Sequence, residues 1–215
     1  MDIFKNGRQR EMNRKEEILY ATLELAADNG IKGVSMSQIA DKVGIKAPSL
    51  YNHFKSKDEI IKEMYLFFRG QAQNGDSSVS VDFSELKDKS IEEILLGSVS
   101  AYMGIITDRN MLQFFKVLYS ERVTNPVAAQ IVVEETERMI RSSKNMFYAL
   151  VVQGKVKSDD IDIAAMTYSL TIHSLIDYRM DMLIAGKIKE FGEDGNPVPK
   201  NITEFIRWFS HQIGV

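Results

Sequence analysis

Asn52 carries a carboxamide, whose acceptor and two donors match the N6/N7 edge of adenine in a major groove. Lys46, Ala47, Ser49, Tyr51, His53 and Lys57 surround it in the chain. Lys46, Tyr51, His53 and Lys57 have the reach and polarity for phosphate oxygens, contacts that set register without reading sequence. Ala47 and Ser49 are small enough to let the backbone approach a base edge. Together these residues describe a surface that could read duplex DNA.

Such a surface needs a short helix held at a fixed angle, and the flanking residues supply one. Ser35 is a good N-cap, and Gln38 three positions later has the spacing of a capping box. Ile39, Ala40 and Val43 then give a first helix an apolar face. Gly44 is where the chain can turn, because glycine alone reaches positive φ without steric cost. Pro48 suits the first turn of a second helix over residues 47–53. Leu50 and Phe54, spaced i, i+4, point one way into a core and leave the polar residues outside. Helix, glycine turn and second helix make a helix-turn-helix. Ser56 and Glu59 form another capping box, so the next helix begins near Lys57 with its positive end open to a phosphate. Taken alone, the same residues also fit a corner of a helical domain.

The ordered run from Ile18 to Phe67, with AADNGIKGVSMSQIADKVGIKAPSLYNHFKSKDEII at its centre, resembles the DNA-binding domain of the TetR family of transcriptional repressors. The resemblance implies DNA contacts at Ser37, Lys46, Ala47, Ser49, Tyr51, Asn52, His53 and Lys57. Many relatives have Arg or Lys where this chain has Ser37, which removes the side chain for a guanine contact there. The resemblance covers about the first third of the chain, and the remainder matches in size and helical character.

Composition narrows the alternatives. With 44% hydrophobic and 27% charged residues the chain can bury a core. No run approaches eighteen apolar residues, and the N-terminal MDIFKNGRQREMNRK lacks an apolar signal region. The expectation is a cytoplasmic protein without membrane association. The absence of cysteine excludes disulfides and thiol catalysis, and the scattered His53, His173 and His211 suggest no metal or cofactor. No glycines fall in phosphate-loop spacing and no GxSxG elbow is present, so an enzyme is not expected. The net charge of −3 is unevenly spread. Residues 1–70 carry 12 Lys and Arg against 10 Asp and Glu, a balance of +2, whereas the remainder carry 15 against 20, a balance of −5. A mildly basic head on an acidic body favours the head as the face turned to DNA.

The full pattern is all-α, with an N-terminal three-helix helix-turn-helix domain joined by a fourth helix to a larger helical domain. Lys5, Arg8 and Arg10 are either an arm reaching DNA or a frayed terminus. A first helix runs from the cap Asn13 to Gly30 and places Arg14 and Lys15 near the DNA backbone. The fourth begins at Lys57 and continues through Ile60, Ile61, Met64, Phe67 and Phe68, a lever between head and body. The serine- and glycine-rich residues 74–82 divide the chain into 1–73 and 74–215. Beyond it the pattern predicts helices from Ser90 to Ile106, over 111–119, from Asn125-Pro126 to Gln153, from Ser158 to Gly186, and from Asn201 to Gln212.

Three features of this second part bear on function. The helix over 158–186 is apolar on two sides, Ile161, Ala165, Tyr168, Ile172 and Leu175 on one and Met166, Leu170, Met180 and Leu183 on the other. Such a helix is buried against its own domain and against something else. A homodimer through the last two helices is the simplest arrangement, and the family resemblance implies it. Tyr102, Met103, Phe114, Phe115, Tyr119, Met146, Phe147, Met166 and His173 are candidates for a ligand pocket, each also compatible with plain core. His173 and Asp177, spaced i, i+4 in a run with Tyr178, Arg179 and Asp181, could anchor a ligand, cross a dimer seam or satisfy each other. The combined expectation is a homodimeric repressor that binds a pseudo-palindromic double-stranded DNA operator and is released by a small, largely apolar effector. The alternative is a helical module whose partner is another protein.

Overall fold

The computed structural model describes residues 13–77, 87–157 and 159–215, with the backbone alone described at 74–77. The arm residues Lys5, Arg8 and Arg10, most of the 74–82 break and the cap Ser158 lie outside the described residues. The helices are α1 (Arg14–Asn29), α2 (Met36–Val43), α3 (Ala47–Leu50), α4 (Lys57–Ser77), α5 (Ile91–Ile106), α6 (Arg109–Glu121), α7 (Pro126–Val152), α8 (Ile161–Ile184) and α9 (Lys200–Ile213). A 3₁₀ turn, Ile31–Gly33, joins α1 to α2. The fold is all-α, and among the described residues only two isolated bridges, Val156 with Gly214 and Glu193 with Asn196, pair extended backbone.

Local chemistry sets most helix starts. Asn13 with Glu16, Ser35 with Gln38 and Ser90 with Glu93 form reciprocal capping boxes at α1, α2 and α5. At α4 the reciprocity is displaced by one residue. Ser56 Oγ accepts from the Glu59 N–H at 3.2 Å, but the Glu59 carboxylate accepts from the Lys55 N–H instead of that of Ser56. The α2–α3 corner is made by Gly44, which ends α2 at φ 72, while Pro48 sits in the first turn of α3.

α8, expected over 158–186, runs Ile161–Ile184 behind Asp160, which makes no side-chain cap bond. Two further spans differ from the expected ones. α3 has a single α-helical turn, after which Asn52 and His53 donate to the Ser49 and Leu50 carbonyls in tighter i→i−3 bonds. Phe54 then returns its N–H to Leu50 in an i→i−4 bond and buries its ring in the core. The second difference is α4, which continues through Asn74, Gly75, Asp76 and Ser77 into the stretch read as a break. Once a helix has nucleated, each added residue gains a backbone hydrogen bond, which carries it past a single glycine costing ~1 kcal/mol.

One core unites α1, α2, α3 and α4 and also takes in Met111, Phe114, Val117 and Leu118 of α6 and Ala128 and Ile131 of α7. A second core joins α5, the C-terminal half of α7, α8, α9 and the 191–198 loop. That loop is tied down by Arg179 of α8, which is buried and donates to the Phe191 and Gly192 carbonyls at 2.8 and 2.6 Å. Arg179 thus holds the connection between α8 and α9. Its carbonyl partners offset the burial of its charge.

The Gly44 corner fixes the angle between α2 and α3. A Cβ there would meet no atom within 4 Å, so replacing it costs only backbone conformation. Gly44→Ala is expected to destabilise by ~1–2 kcal/mol, lowering Tm by about 2–4 °C per kcal/mol for a chain of this size. Thermal unfolding followed by circular dichroism checks it, and an unchanged Tm would mean the corner tolerates an L-residue.

Candidate DNA-reading surface and internal cavity

Leu50 is fully buried and Phe54 nearly so, and both belong to the core beneath the helix-turn-helix. Burying each side chain contributes about 1.5–3 kcal/mol and holds α3 against α1 and α2. The opposite face is open. Ser37, Lys46, Ser49, Tyr51 and Asn52 are exposed, and Ala47, His53 and Lys57 are half-buried. No described residue hydrogen-bonds to the side chains of Lys46, Ser49, Tyr51 or Asn52, so their polar groups are available to a partner. Two nearby cations are already engaged. Lys42 pairs with Glu24 at 3.0 Å, and Lys15 lies 5.4 Å from the centre of the Phe54 ring. The structure therefore gathers the eight expected residues around one corner of the molecule, with Lys57 opening α4 beside them.

The nine residues expected around a ligand separate into three groups. Tyr102, Phe115, Tyr119 and His173 line a cavity of about 100 Å³ where residues 115–122 face residues 173–184. Met103, Phe114, Met146 and Phe147 are buried in solid core instead. Met103 follows Tyr102 and Phe114 precedes Phe115, and one residue rotates a helical side chain by ~100° away from the cavity. Met146 and Phe147 sit on α7 in the core of α5, α8 and α9, where the Phe147 ring lies 5.4 Å from that of Tyr168. Met166 is 44% exposed, in the N-terminal half of α8, beyond the stretch that faces α6. The residues that sequence reasoning missed are Ile106, Lys116, Arg122, Ile176, Met180 and Ile184. Their signal was helical spacing: Arg122 stands three positions after Tyr119, and Ile176, Met180 and Ile184 extend the His173 face by successive turns.

A polar cluster forms one wall of the cavity. Tyr119 Oη and His173 Nε2 lie 3.0 Å apart, a hydrogen bond whose direction follows the imidazole tautomer. His173 Nε2 is also 3.5 Å from an oxygen of Asp177, and the Arg122 guanidinium covers the Tyr119 ring at 4.3 Å. Burial, reinforced by the Asp177 carboxylate, pushes the Tyr119 hydroxyl well above the ordinary phenol range, so it stays neutral. Burial also raises Asp177, more than the opposing pull of His173, Tyr119 and Arg122 lowers it, with Asp181 adding to the rise. Among the described residues no group of His, Asp and Glu is arranged to hold a metal ion.

The description "Bacterial regulatory proteins, tetR family" matches residues 18–64, and "AefR-like transcriptional repressor, C-terminal domain" matches residues 93–192. The chain belongs to the TetR family. The HTH-type transcriptional repressor KstR2 of Mycolicibacterium smegmatis is 40% identical over 52 residues, 24% of this chain and 25% of that protein. The HTH-type transcriptional activator FasR of the same organism is 31% identical over 123 residues, 56% and 52% of the two chains. Across the curated relatives that match first, this chain spans between about a quarter and about half of their length. A crystal structure of a TetR-family regulator from Mesorhizobium loti superposes with a TM-score of 0.70 at 20% identity, covering 95% of this chain and 100% of that one. At that identity the likeness speaks for the fold. The TetR helix-turn-helix domain of this chain is thus the unit whose open face carries Asn52.

A raised Asp177 has a definite consequence for pH dependence. An acid whose folded pKa exceeds its unfolded value binds more protons when folded, so its contribution to stability falls as pH rises from the unfolded value. Removing the charge with Asp177→Asn should raise Tm relative to the native protein more at pH 7 than near pH 4. Thermal melts at the two pH values test this. A larger relative gain near pH 4 would show that pairing with His173, not burial, dominates at Asp177.

Proposed function

We propose that this TetR-family protein is a homodimeric, ligand-responsive repressor that binds a pseudo-palindromic operator and releases it when a small, largely apolar effector binds. The observation that carries the reading is the open face of α3, where Lys46, Ser49, Tyr51 and Asn52 are exposed beside a buried Leu50. In this reading Asn52 pairs with a base, while Lys46, Tyr51, His53 and Lys57 hold phosphates. Ala47 and Ser49 allow close approach, and Ser37 adds a hydroxyl from α2.

A second copy would supply the two-fold symmetry that a palindrome requires, with half-sites one helical turn, ~34–36 Å, apart. Support for dimerisation through α8 and α9 comes from Ile163, Met166 and Leu170 of α8 and Trp208 of α9, large apolar side chains 42–59% exposed. The second apolar row of α8 is thus split: Met166 and Leu170 face outward, and Met180 and Leu183 are half-buried. Covering such a surface is what a self-complementary interface does.

The internal cavity is the natural effector site; one route leads from its wall to α4, and a second starts at Glu135 in the adjoining small space. Rings run in contact from His173 through Tyr119, Phe115 and Phe114 to Phe68, with centroids 5.6–6.4 Å apart at each step. The second route is ionic: Arg69 of α4 pairs with Glu134 and Glu135 of α7, and Gln73 donates to Glu135 at 3.1 Å. An effector that prefers a different spacing of α6 and α8 would shift α4 and the heads it carries. Release requires that the ligand favour the non-binding state by more free energy than the operator favours the other.

Selection from a randomised duplex pool near physiological salt is expected to enrich an inverted repeat. Asn52→Ala should then lose discrimination at one base pair of each half-site, by ~1–3 kcal/mol. Quantitative gel shifts over single-base variants read this out. Enrichment of no motif by the intact dimer would sink the regulator reading, whereas unaltered specificity in the variant would remove only Asn52 as a reader.

A further inference from the structure

A second cavity of about 90 Å³ lies among α5, α7 and α8, lined in part by Ser98, Arg138, Ser143, Tyr168 and Ser169. A smaller space of about 20 Å³ stands between it and the first. Tyr102 lines all three, and Glu135 and Met139 line both the small space and the second cavity. The first cavity is bounded by Ile106, Phe115, Ile176, Met180 and Ile184 with a polar wall, and the second by hydroxyls.

Tyr168 is the informative residue. Its side chain is 3% exposed, its ring packs on Phe147 and Phe209, and its hydroxyl has no hydrogen-bond partner among the described residues. An unpaired buried hydroxyl is costly, and native proteins seldom retain one without a use. Burial keeps the phenol protonated, so it offers a donor. Ser169, beside it in the chain, already donates to the Ala165 carbonyl at 2.8 Å, so it cannot also accept the role of donor here.

Charge decides what kind of acceptor fits. Arg138 is held by Glu135, donating through Nε at 3.0 Å and through a terminal nitrogen at 2.5 Å. Glu135 is in turn bound by Gln73 and Arg69, and Arg69 also pairs with Glu134. Two guanidinium groups therefore face two carboxylates. At the Tyr168 end an incoming anion would meet guanidinium groups already matched by carboxylates, and a charge buried without a partner is expensive. A neutral carbonyl oxygen needs only the hydroxyl.

We propose that the two cavities are one bipartite ligand site, and that its ligand is an elongated neutral molecule with an apolar body and a carbonyl oxygen near one end. The apolar body occupies the space between α6 and α8, passes Tyr102, and presents its carbonyl to the Tyr168 hydroxyl. This rests on the reading of the helical body as the effector-binding part and adds the chemistry of the effector. It also places the carbonyl beside Glu135 and Arg138, the inner end of the ionic link to α4.

The test uses the full chain, 2-decanone as a neutral carbonyl probe and decanoate as its anionic counterpart, with titration calorimetry near pH 7. The native protein should bind 2-decanone more tightly than decanoate. Tyr168→Phe should weaken 2-decanone about tenfold, the ~1.4 kcal/mol of one hydrogen bond. The same variant without ligand should melt at the native temperature or above, because its hydroxyl has no partner to lose. No binding of 2-decanone, equal binding by Tyr168→Phe, tighter binding of decanoate, or a lowered melting temperature of the free variant would each overturn the proposal. Duplex selection on the same preparations keeps the two ideas separate. An operator selected without any dependence of 2-decanone binding on Tyr168 sinks the ligand class alone, and no operator sinks the regulator reading.

Discussion

The packing of Phe68 on Phe114 joins the DNA-reading part of this molecule to the rest of it. The two rings lie 5.8 Å apart and nearly parallel, and both are all but fully buried. Tyr65 and Tyr20 meet the same pair edge-on, so α1, α4 and α6 share one aromatic cluster. Protein interiors are packed close to crystal density and do not deform smoothly. A displacement of α6 must therefore either be transmitted to α4 or open a void beneath it. The core continues from the helix-turn-helix into the body without a break.

The ionic link between α4 and α7 works by a different rule. Apolar packing holds helices together without donor–acceptor pairing, whereas Arg69 and Gln73 tie specific positions of α4 to Glu134 and Glu135 of α7. Arg138 holds the far side of Glu135, where that carboxylate borders the cavities. One carboxylate thus faces α4 on one side and the cavities on the other. Any group that alters the pairing of Arg138 changes what Glu135 can offer to α4.

What could be read from the sequence was what local chemistry decides. The capping residues Asn13, Ser35 and Ser90, the turn at Gly44 and Pro48 in α3 act over three or four positions, and each stands where its type implies. The outward face of α3 followed, because Leu50 and Phe54 leave no other side for Ser49 and Asn52. The cavity was only half legible. Periodicity shows that Tyr102 and Met103 differ by ~100° around a helix, but not which of the two directions holds a void and which holds core. That choice depends on how far α6 extends over α8, a tertiary fact with no local signature. The end of α4 was missed for a related reason, since glycine and serine weaken a helix without determining where it stops. Arg179 read as part of a polar run, and only the path of the 191–193 loop shows what its guanidinium holds.

The distribution of imperfect satisfaction through the molecule argues for where its function lies. In the core beneath the helix-turn-helix most buried groups are apolar, Thr22 donates to the Ile18 carbonyl, the Tyr65 hydroxyl is unpaired among the described residues, and α1 and α2 start on side-chain caps. Near the cavities unsatisfied and titratable groups stand together. Tyr168 keeps a hydroxyl unpaired among the described residues, Asp177 is raised by burial that His173 and Arg122 do not offset, and Tyr119 is bonded to His173 in the polar wall of the first cavity. Departures from local consistency beside empty volume mark a part of a chain shaped by something other than stability. Here Phe115 of the cavity wall reaches Phe68 of α4 through Phe114, and Glu135 joins the second cavity to Arg69 of the same helix.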